Sequence, residues 1–353
     1  MTERADRLSG LVAEAGLDSL LVAELTNLRY VSGFTGTNGA CLIGPDIRTF
    51  FTDFRYRERA ADEVDGFEVE IVSGDWLAGL AAFFKGKVGI EDDHLTVRTA
   101  SKLEDAADDA AELIYSGGLV ESLRRIKEPG EIEKIATAAE LTDSLYHEVM
   151  ERGLVDRSEA EIAAFAVARM REQGAEPSFL PIIASGPNGA SPHAEPGGRV
   201  VGKGELVTID MGATLDGYCS DCTRTFATGR LEAKATEIYE VTLAANQAGL
   251  AAVRPGAVAA DVDGAARDLI KEAGFGEYFG HGLGHGVGLE VHEAPRLGAR
   301  SRDVLAENDV VTVEPGIYIS GFTGVRIEDL VVVGEEGISQ NLSTVSKALT
   351  YID

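Results

Sequence analysis

Apolar and polar positions in the first third of the chain alternate between helical and strand-like spacing. Helical spacing covers residues 4–15, 55–64, 76–84 and 98–113. Short apolar runs between these segments predict strands at residues 19–23, 40–43, 48–52, 68–72 and 88–91. Helices that alternate with strands are typical of an α/β domain, and we place such a domain at residues 1–124.

The pattern changes near residues 119–130, where a second domain begins. Pro129 precedes a helical repeat that ends at Gly153, and another helix is predicted over residues 158–173. Strand-like runs follow at residues 179–185, 206–212, 218–226, 310–313, 317–319 and 325–333, around helices near 231–252 and 258–273. Consecutive strands around inserted helices predict an α+β domain with a largely antiparallel sheet over residues 125–353.

Composition and charge narrow the classes of protein that this chain can be. Its 353 residues are 44% hydrophobic and carry 32 Lys+Arg against 59 Asp+Glu, a net charge of −27. So acidic a chain lacks the basic surface that nucleic acid or an anionic membrane needs. A polar N-terminus, the lack of any run of about 18 apolar residues and only three cysteines predict a cytoplasmic protein without membrane spans.

Four of the six histidines fall within one region of the sequence, whereas His94 and His147 lie in polar surroundings that predict surface positions. The four are His193, His281, His285 and His292. Glycines alternate around the last three and would let backbone approach a bound group closely. A phosphate-binding loop is the alternative, but the spacing does not fit G-x-G-x-x-G and no P-loop lysine is present. The pattern therefore favours a ligand site over a flexible loop.

Four acids lie in or beside strand-like runs of the same region, namely Asp210, Asp221, Glu314 and Glu328. A buried acid is costly unless it is paired or coordinated. One such acid could pair with Arg224 or Arg326, but four exceed the nearby cations. Two divalent ions would balance the four charges, and oxygen ligands with one imidazole suit manganese, cobalt, iron or zinc.

Cys219 and Cys222 flank Asp221 with the spacing C-x-x-C. A zinc site would need a second Cys or His pair nearby, so small buried residues are the favoured interpretation. A reversible disulfide is the alternative.

These motifs together resemble the prolidase and aminopeptidase P branch of the pita-bread metallopeptidases. The resemblance lies in five segments: Asp210-x-Gly; Ser220-Asp221-x-Thr-Arg-Thr; His281-Gly-Leu-Gly-His285 through His292-Glu; Val313-Glu314-Pro-Gly; and Gly324-Val-Arg326-Ile-Glu328-Asp. The resemblance implies a creatinase-like α/β N-terminal domain at residues 1–124 and a pita-bread catalytic domain at residues 125–353.

The resemblance also implies a role for each candidate residue. Two divalent metal ions, with manganese or cobalt favoured over zinc or iron, would be bound by Asp210, Asp221, His285, Glu314 and Glu328, with Asp221 and Glu328 bridging them. Glu314 would also take the proton of the attacking water, and His193 and His292 would steady the substrate and the tetrahedral intermediate. His281 and Arg326 would line the proline side of the pocket, which Phe179, Ile182 and Arg296 would help to shape, with Arg296 near a substrate carboxylate.

The implied activity is hydrolysis of the Xaa-Pro bond, with a metal-bridging hydroxide as the nucleophile. Dipeptides and the N-termini of short peptides are both candidate substrates, and the chain length and Arg296 slightly favour dipeptides over the longer substrates of an aminopeptidase P. Methionine aminopeptidase, a metal-free creatinase-like hydrolase and an inactive pita-bread binding protein are the alternatives. The N-terminal domain is expected to form a homodimer and to restrict access by long peptides.

Overall fold

The computed structural model describes residues 2–107, 109 and 111–353. The chain divides into two compact units, Met1–Arg124 and Arg125–Asp353.

The N-terminal unit is built on one six-stranded mixed sheet. Its strands are β1 (Ser19–Val22), β2 (Gly39–Gly44), β3 (Ile47–Thr52), β4 (Glu68–Ile71), β5 (Gly86–Ile90) and β6 (Ala111–Tyr115), in the order β4-β3-β2-β1-β5-β6. β2 is antiparallel to β1 and β3, whereas the other pairs are parallel. The helices are α1 (Thr2–Glu14), α2 (Leu25–Ser32), α3 (Arg57–Glu63), α4 (Trp76–Ala81), α5 (Val97–Ala107) and α6 (Leu119–Arg125).

Two features of this unit differ from the sequence prediction. The helix predicted over residues 98–113 is wrong at its end, because α5 stops at Ala107 and residues 111–115 form β6, while residues 108 and 110 lie outside the described residues. Pairing of β6 with β5, such as Leu113 with Val88, overrides the alanine-rich helical pattern. The eight-residue helix α2 was not predicted. It is too short to show a clear repeat, although the Glu24 side chain caps it by accepting a hydrogen bond from the Asn27 N–H.

The C-terminal unit contains four long helices and several small antiparallel sheets. The helices are α7 (Pro129–Arg152), α8 (Glu159–Glu172), α9 (Ala233–Ala252) and α10 (Ala259–Glu272). The strands are β7 (Glu176–Pro177), β8 (Ile182–Ser185), β9 (Leu206–Met211), β10 (Ala213–Leu215), β11 (Tyr218–Cys219), β12 (Cys222–Ala227), β13 (Gly284–Gly286), β14 (Glu293–Leu297), β15 (Val310–Val313), β16 (Gly316–Ile319), β17 (Thr323–Arg326), β18 (Asp329–Val333) and β19 (Ile338–Asn341). The sheets are β11-β10-β7, β12-β9-β8, β14-β13-β15-β18-β19 and β16-β17.

Each pair of helices covers part of this strand system. Leu145 and Tyr146 of α7 share a buried cluster with Ile209 of β9, and α8 contributes Ile162 to the same cluster. A second cluster joins α9 and α10 to β15, β17 and β18. The two helix pairs, α7 with α8 and α9 with α10, therefore pack apolar side chains against the strands that carry the acids.

Two of the acids predicted as metal ligands, Asp221 and Glu328, lie where predicted strands are interrupted. Two segments predicted as single strands are each interrupted, residues 218–226 at Ser220–Asp221 and residues 325–333 at Ile327–Glu328. The apolar pattern does not show either interruption, because the flanking residues are buried on both sides of it. Each interruption frees one acid, Asp221 or Glu328, from the strand alternation that would otherwise fix the direction of its side chain.

Candidate metal centre

Two sheets contribute carboxylates to one cluster. Asp210 lies on β9 opposite Thr223 of β12, and Glu314 directly follows β15, whose Val313 pairs with Asp329 beside Glu328. The Glu328 N–H donates to the Thr223 carbonyl at 3.1 Å and so joins the two sheets at this point. The fold thus brings acids from two distant parts of the sequence, Asp210 with Asp221 and Glu314 with Glu328, close together.

Ligand atoms of Asp221, His285 and Glu328 lie within 4.8 Å of one another, and all three residues are buried. His285 Nε2 lies 3.2 Å from Glu314 Oε1 and 3.7 Å from Asp221 Oδ2. This spacing suits donors around a small cation, and His285 and Glu314 also lie within hydrogen-bond distance of each other.

The donor set fits divalent ions. Asp210 Oδ1 and Asp221 Oδ1 are buried and have no hydrogen-bond partner among the described residues. Unpaired buried carboxylate oxygens are costly, and a cation would compensate both. Hard oxygen ligands with a single imidazole suit the divalent ions predicted from the sequence.

Burial and mutual repulsion dominate the electrostatics of the cluster without a cation. Burial and the charges of neighbouring carboxylates raise the pKa of Asp221 and of Glu328 well above their usual values, and burial also raises the pKa of Asp210. Burial acts to raise the pKa of Glu314 as well, but its hydrogen bond with His285 and the His285 charge lower it overall. A bound cation would favour the ionised form of every one of these carboxyls.

Arg326 is buried beside the cluster and bonds one of its acids and two nearby hydroxyls. Its Nη2 donates to Asp210 Oδ2 at 2.6 Å, its Nη1 to the Tyr318 hydroxyl at 2.9 Å and its Nε to the Thr223 hydroxyl at 3.0 Å. One acid of the four therefore has an arginine partner. Arg224, the other cation considered from the sequence, pairs instead with Asp329 at 2.9 Å.

One pocket of about 740 Å³ contains the cluster. All twelve residues predicted from the sequence line it, namely Phe179, Ile182, His193, Asp210, Asp221, His281, His285, His292, Arg296, Glu314, Arg326 and Glu328. His193, His292 and Arg296 are exposed at its wall, while the acids lie deeper. The sequence therefore identified a set of residues that the fold brings together.

The histidines differ in their surroundings. The His292 and His285 rings meet edge to face with centroids 4.4 Å apart, and burial together with the nearby His285 charge lowers the pKa of His292. His281 Nε2 lies 3.0 Å from the Tyr318 hydroxyl, and burial lowers the pKa of His281. Outside the pocket, His147 is exposed as predicted, and His94 is exposed but bonds Glu121 at 2.8 Å.

The two glycines that flank His285 are required by the sheet. A Cβ on Gly284 would lie 2.0 Å from the Thr312 carbonyl oxygen, and one on Gly286 would lie 2.1 Å from that of Ala294. Glycine is thus required because β13 lies tightly between its neighbours, β14 and β15. Gly284 also lines the pocket, so the expectation that these glycines make room for a ligand stays a prediction beside this packing requirement.

Two residues of the site were missed in the sequence. The Thr223 hydroxyl donates to Glu328 Oε2 at 2.8 Å, and the Tyr318 hydroxyl bonds both Arg326 and His281. A signal for Tyr318 exists, because Ile317 and Ile319 of β16 are buried and the alternation turns Tyr318 to the other face. Thr223 stands within the quoted Ser220-Asp221-x-Thr motif, but nothing in that pattern distinguishes it from Thr225.

The cysteines are buried free thiols, as the favoured interpretation predicted. Cys219 Sγ lies 3.5 Å from the Thr214 hydroxyl, and Cys222 Sγ lies 3.9 Å from the Glu328 carbonyl oxygen. Both side chains therefore fill space beside the strand interruption at Asp221.

An acid cluster with an imidazole ligand, at the base of a pocket with further histidines, is the donor arrangement of a metal-dependent hydrolase. Residues 133–335 match metallopeptidase family M24, and residues 4–126 match the creatinase/prolidase N-terminal domain. The chain belongs to metallopeptidase family M24. The predicted family and the predicted combination of a creatinase-like N-terminal domain with a pita-bread domain are confirmed.

Known relatives cover nearly the whole chain. The Xaa-Pro dipeptidase of Pyrococcus furiosus is 35% identical over 98% of this chain and 99% of its own length. The structure of an Xaa-Pro dipeptidase from Bacillus anthracis has a TM-score of 0.96 at 40% identity, with 99% of both chains covered. That of an X-Pro aminopeptidase from Thermotoga maritima has a TM-score of 0.90 at 35% identity and covers 99% of this chain and 100% of its own.

Within the described residues, every helix is too short or too polar to cross a membrane.

Proposed function

We propose that this protein is a metal-dependent peptidase that hydrolyses the bond before proline in dipeptides or at the N-terminus of short peptides. The observation that carries the proposal is the pocket in which three buried acids, the half-buried Glu314 and His285 lie together with three further histidines. Relatives named for Xaa-Pro hydrolysis, similar along almost their entire length, support the substrate class.

Asp210, Asp221, His285, Glu314 and Glu328 would hold two divalent ions, with manganese or cobalt expected. Unpaired buried oxygens on Asp210 and Asp221 and the close spacing of Asp221, His285 and Glu328 support this assignment. Bound there, divalent ions supply Lewis-acid polarisation of a carbonyl and a water of lowered pKa.

Glu314 is the proposed proton acceptor. Its Oε1 contacts His285 and receives a hydrogen bond from the Thr312 hydroxyl at 3.3 Å, which together fix the carboxylate in the pocket. A carboxylate so fixed can take the proton of water and pass it to the leaving nitrogen. His193 and His292 are proposed to donate hydrogen bonds to the oxygen on which negative charge develops.

The bond before proline is a tertiary amide without an N–H, so an enzyme cannot recognise it through that donor. Shape must replace the missing hydrogen bond. Phe179, Ile182, His281 and Arg326 line the pocket and are proposed to enclose the proline ring. Arg296 lies on the exposed wall and is proposed to meet the free carboxylate of a dipeptide.

The direct test is hydrolysis of Ala-Pro, with Ala-Ala as the control substrate, by protein loaded with manganese or cobalt. We expect release of proline from Ala-Pro and its loss on chelation. No cleavage of any Xaa-Pro peptide by protein with a full metal content would refute the proposal and would favour the inactive binding protein.

The second candidate is an aminopeptidase P, which the similarity to the Thermotoga maritima enzyme supports. Rates on Ala-Pro and Ala-Pro-Ala distinguish the two. A dipeptidase should prefer Ala-Pro, and Arg296→Ala should reduce that preference. Equal rates on both peptides, unchanged in Arg296→Ala, would remove the role of Arg296 and the preference for dipeptides.

We also propose a homodimer in which the N-terminal domain restricts access by long peptides. Light scattering on the purified protein measures the mass in solution, and a monomer with full activity would contradict this part of the proposal.

A further inference from the structure

The segment that carries His281 has little structure of its own. Residues 279–283 lie between a short 3-10 helix, Gly276–Tyr278, and strand β13. Gly280 and Gly282 flank the histidine, so the local backbone has wide conformational freedom. The observed position of His281 must therefore be imposed from outside the segment.

An acid and an arginine one turn apart on α10 provide this constraint. Arg267 Nη1 donates to the Phe279 carbonyl at 2.9 Å, and Nη2 donates to the His281 carbonyl at 2.6 Å. Asp263 Oδ1 accepts the Leu283 N–H at 3.0 Å. Three backbone groups of a five-residue segment are thus held by one pair of side chains.

The pair is itself rigid. Arg267 Nε and Nη2 bond the two oxygens of Asp263 at 2.6 and 2.8 Å, and Asp263 is fully buried. The guanidinium also stacks 4.1 Å from the centre of the Phe279 ring, which meets His281 edge to face. Arg267 makes four hydrogen bonds from three nitrogens in one plane, and a lysine ammonium, with three donors on a single nitrogen, cannot make them all.

We propose that Asp263 and Arg267 are positioning residues that fix His281 at the substrate pocket. The inference rests on the proposed function, which gives His281 a contact with the proline side of the substrate. Neither residue lines the pocket, so both act through the backbone of residues 279–283. Held in this way, the His281 ring meets the Tyr318 hydroxyl, which in turn bonds Arg326.

The first measurement is steady-state kinetics of Arg267→Gln and Arg267→Lys on Ala-Pro. We expect kcat/KM to fall about 10- to 100-fold, as small misplacements of positioning groups do. The loss should appear mainly in KM, because His281 is proposed to contact proline rather than the reacting carbonyl. Arg267→Lys keeps the charge beside Asp263 and provides a second variant if the glutamine protein does not fold.

The control is Arg171→Gln on helix α8, which breaks an exposed ion pair between Arg171 Nε and Glu176 Oε2, 2.9 Å apart. It should leave kcat and KM unchanged. A double-mutant cycle adds the decisive comparison. In a His281→Ala background the Arg267 substitution should lower kcat/KM by less than about two-fold more, because the effects of two substitutions that act through the same side chain are not additive. Multiplied losses, or a fall in kcat alone, would overturn the proposal.

Hydrogen exchange separates this inference from the proposed function. In Arg267→Gln the amides of residues 279–283 should exchange faster, while those of β9 and β15 keep the wild-type rate. This result does not require a substrate. Wild-type protein that cleaves no Xaa-Pro peptide would refute the function, whereas unchanged exchange at residues 279–283 would refute the positioning role alone.

Discussion

Thr223→Val is a sharp test of the metal centre, because one hydroxyl joins two charged groups there. The hydroxyl donates to Glu328 Oε2 at 2.8 Å and accepts from Arg326 Nε at 3.0 Å, and the residue is fully buried. Valine has nearly the shape of threonine, so the substitution removes the hydrogen bonds and leaves the packing almost unchanged.

The expected cost follows from the charge of the partners. A hydrogen bond to a charged group contributes about 1.5–3 kcal/mol. If loss of this hydrogen bond destabilises only the ionised, metal-binding form of the Glu328 carboxylate, metal affinity should fall roughly 10- to 100-fold. Substitutions of other residues that support metal ligands have effects of this size. The hydroxyl also favours ionised Glu328, so its removal raises the pKa of Glu328 further and lets protons compete better with the metal.

The assay is competition for manganese with a chelator of known affinity, followed by kcat/KM at saturating metal. Thr242→Val is the matched control, since Thr242 is equally buried but its hydroxyl donates to the Ile238 carbonyl within its own helix instead of to a charged group. We expect weaker metal binding in Thr223→Val and unchanged binding in Thr242→Val. Equal affinities in the two variants would refute the assignment of Glu328 as a ligand supported by Thr223.

Three further predictions follow from other contacts. His285→Ala should lose metal and Xaa-Pro hydrolysis together, and full metal content with full activity would contradict the ligand assignment. Tyr318→Phe removes the hydroxyl between Arg326 and His281 and with it one hydrogen bond to a charged group, so kcat/KM should fall about ten-fold. Calorimetry should show that the fold is unchanged. Burial raises the pKa of Glu91 in the N-terminal unit to about 7 from 4.5, so the folded state binds the extra proton and the free energy of unfolding should fall as pH rises from about 4.5 to 7. Denaturant titrations should show a decrease of about 3 kcal/mol for this group, and Glu91→Gln should flatten the slope.

The site could be identified from sequence because its ligands lie at places where apolar patterns end. Asp210 stands near the end of β9 and Glu314 directly after β15, so an acid that follows a buried run signals a functional position. His285 was marked by glycines, although their physical role is packing between strands. Residue type and position along the chain were thus sufficient to select the four acids and the four histidines, whereas Phe179, Ile182 and Arg296 came from the resemblance to the prolidase and aminopeptidase P branch.

Sequence patterns could not supply the contacts that connect these residues. The hydroxyls of Tyr318 and Thr223 both bond Arg326, which lies 8 residues from Tyr318 and 103 residues from Thr223 in the chain. The interruptions at Asp221 and Glu328 were hidden because the residues on both sides are buried. Strand β6 was likewise hidden by an alanine-rich helical pattern that pairing with β5 overrides. In each case the deciding interaction is tertiary, and local periodicity carries no record of it.

The Asp210–Arg326 pair changes the charge balance that the sequence suggested. Four ionised acids and Arg326 sum to −4 + 1 = −3 when His285 is neutral. Arg326 bonds one carboxylate oxygen of Asp210, and the other oxygen has no hydrogen-bond partner in the part of the chain that the structure describes. Two divalent ions would then leave the centre at −3 + 4 = +1 rather than neutral. A net positive centre stabilises a substrate carboxylate or an oxygen on which negative charge develops more strongly than a fully compensated one does. On this balance we expect the charge of Arg326 to matter as well as its hydrogen bonds, so Arg326→Gln should lower kcat/KM on Ala-Pro even where metal analysis finds its metal content intact.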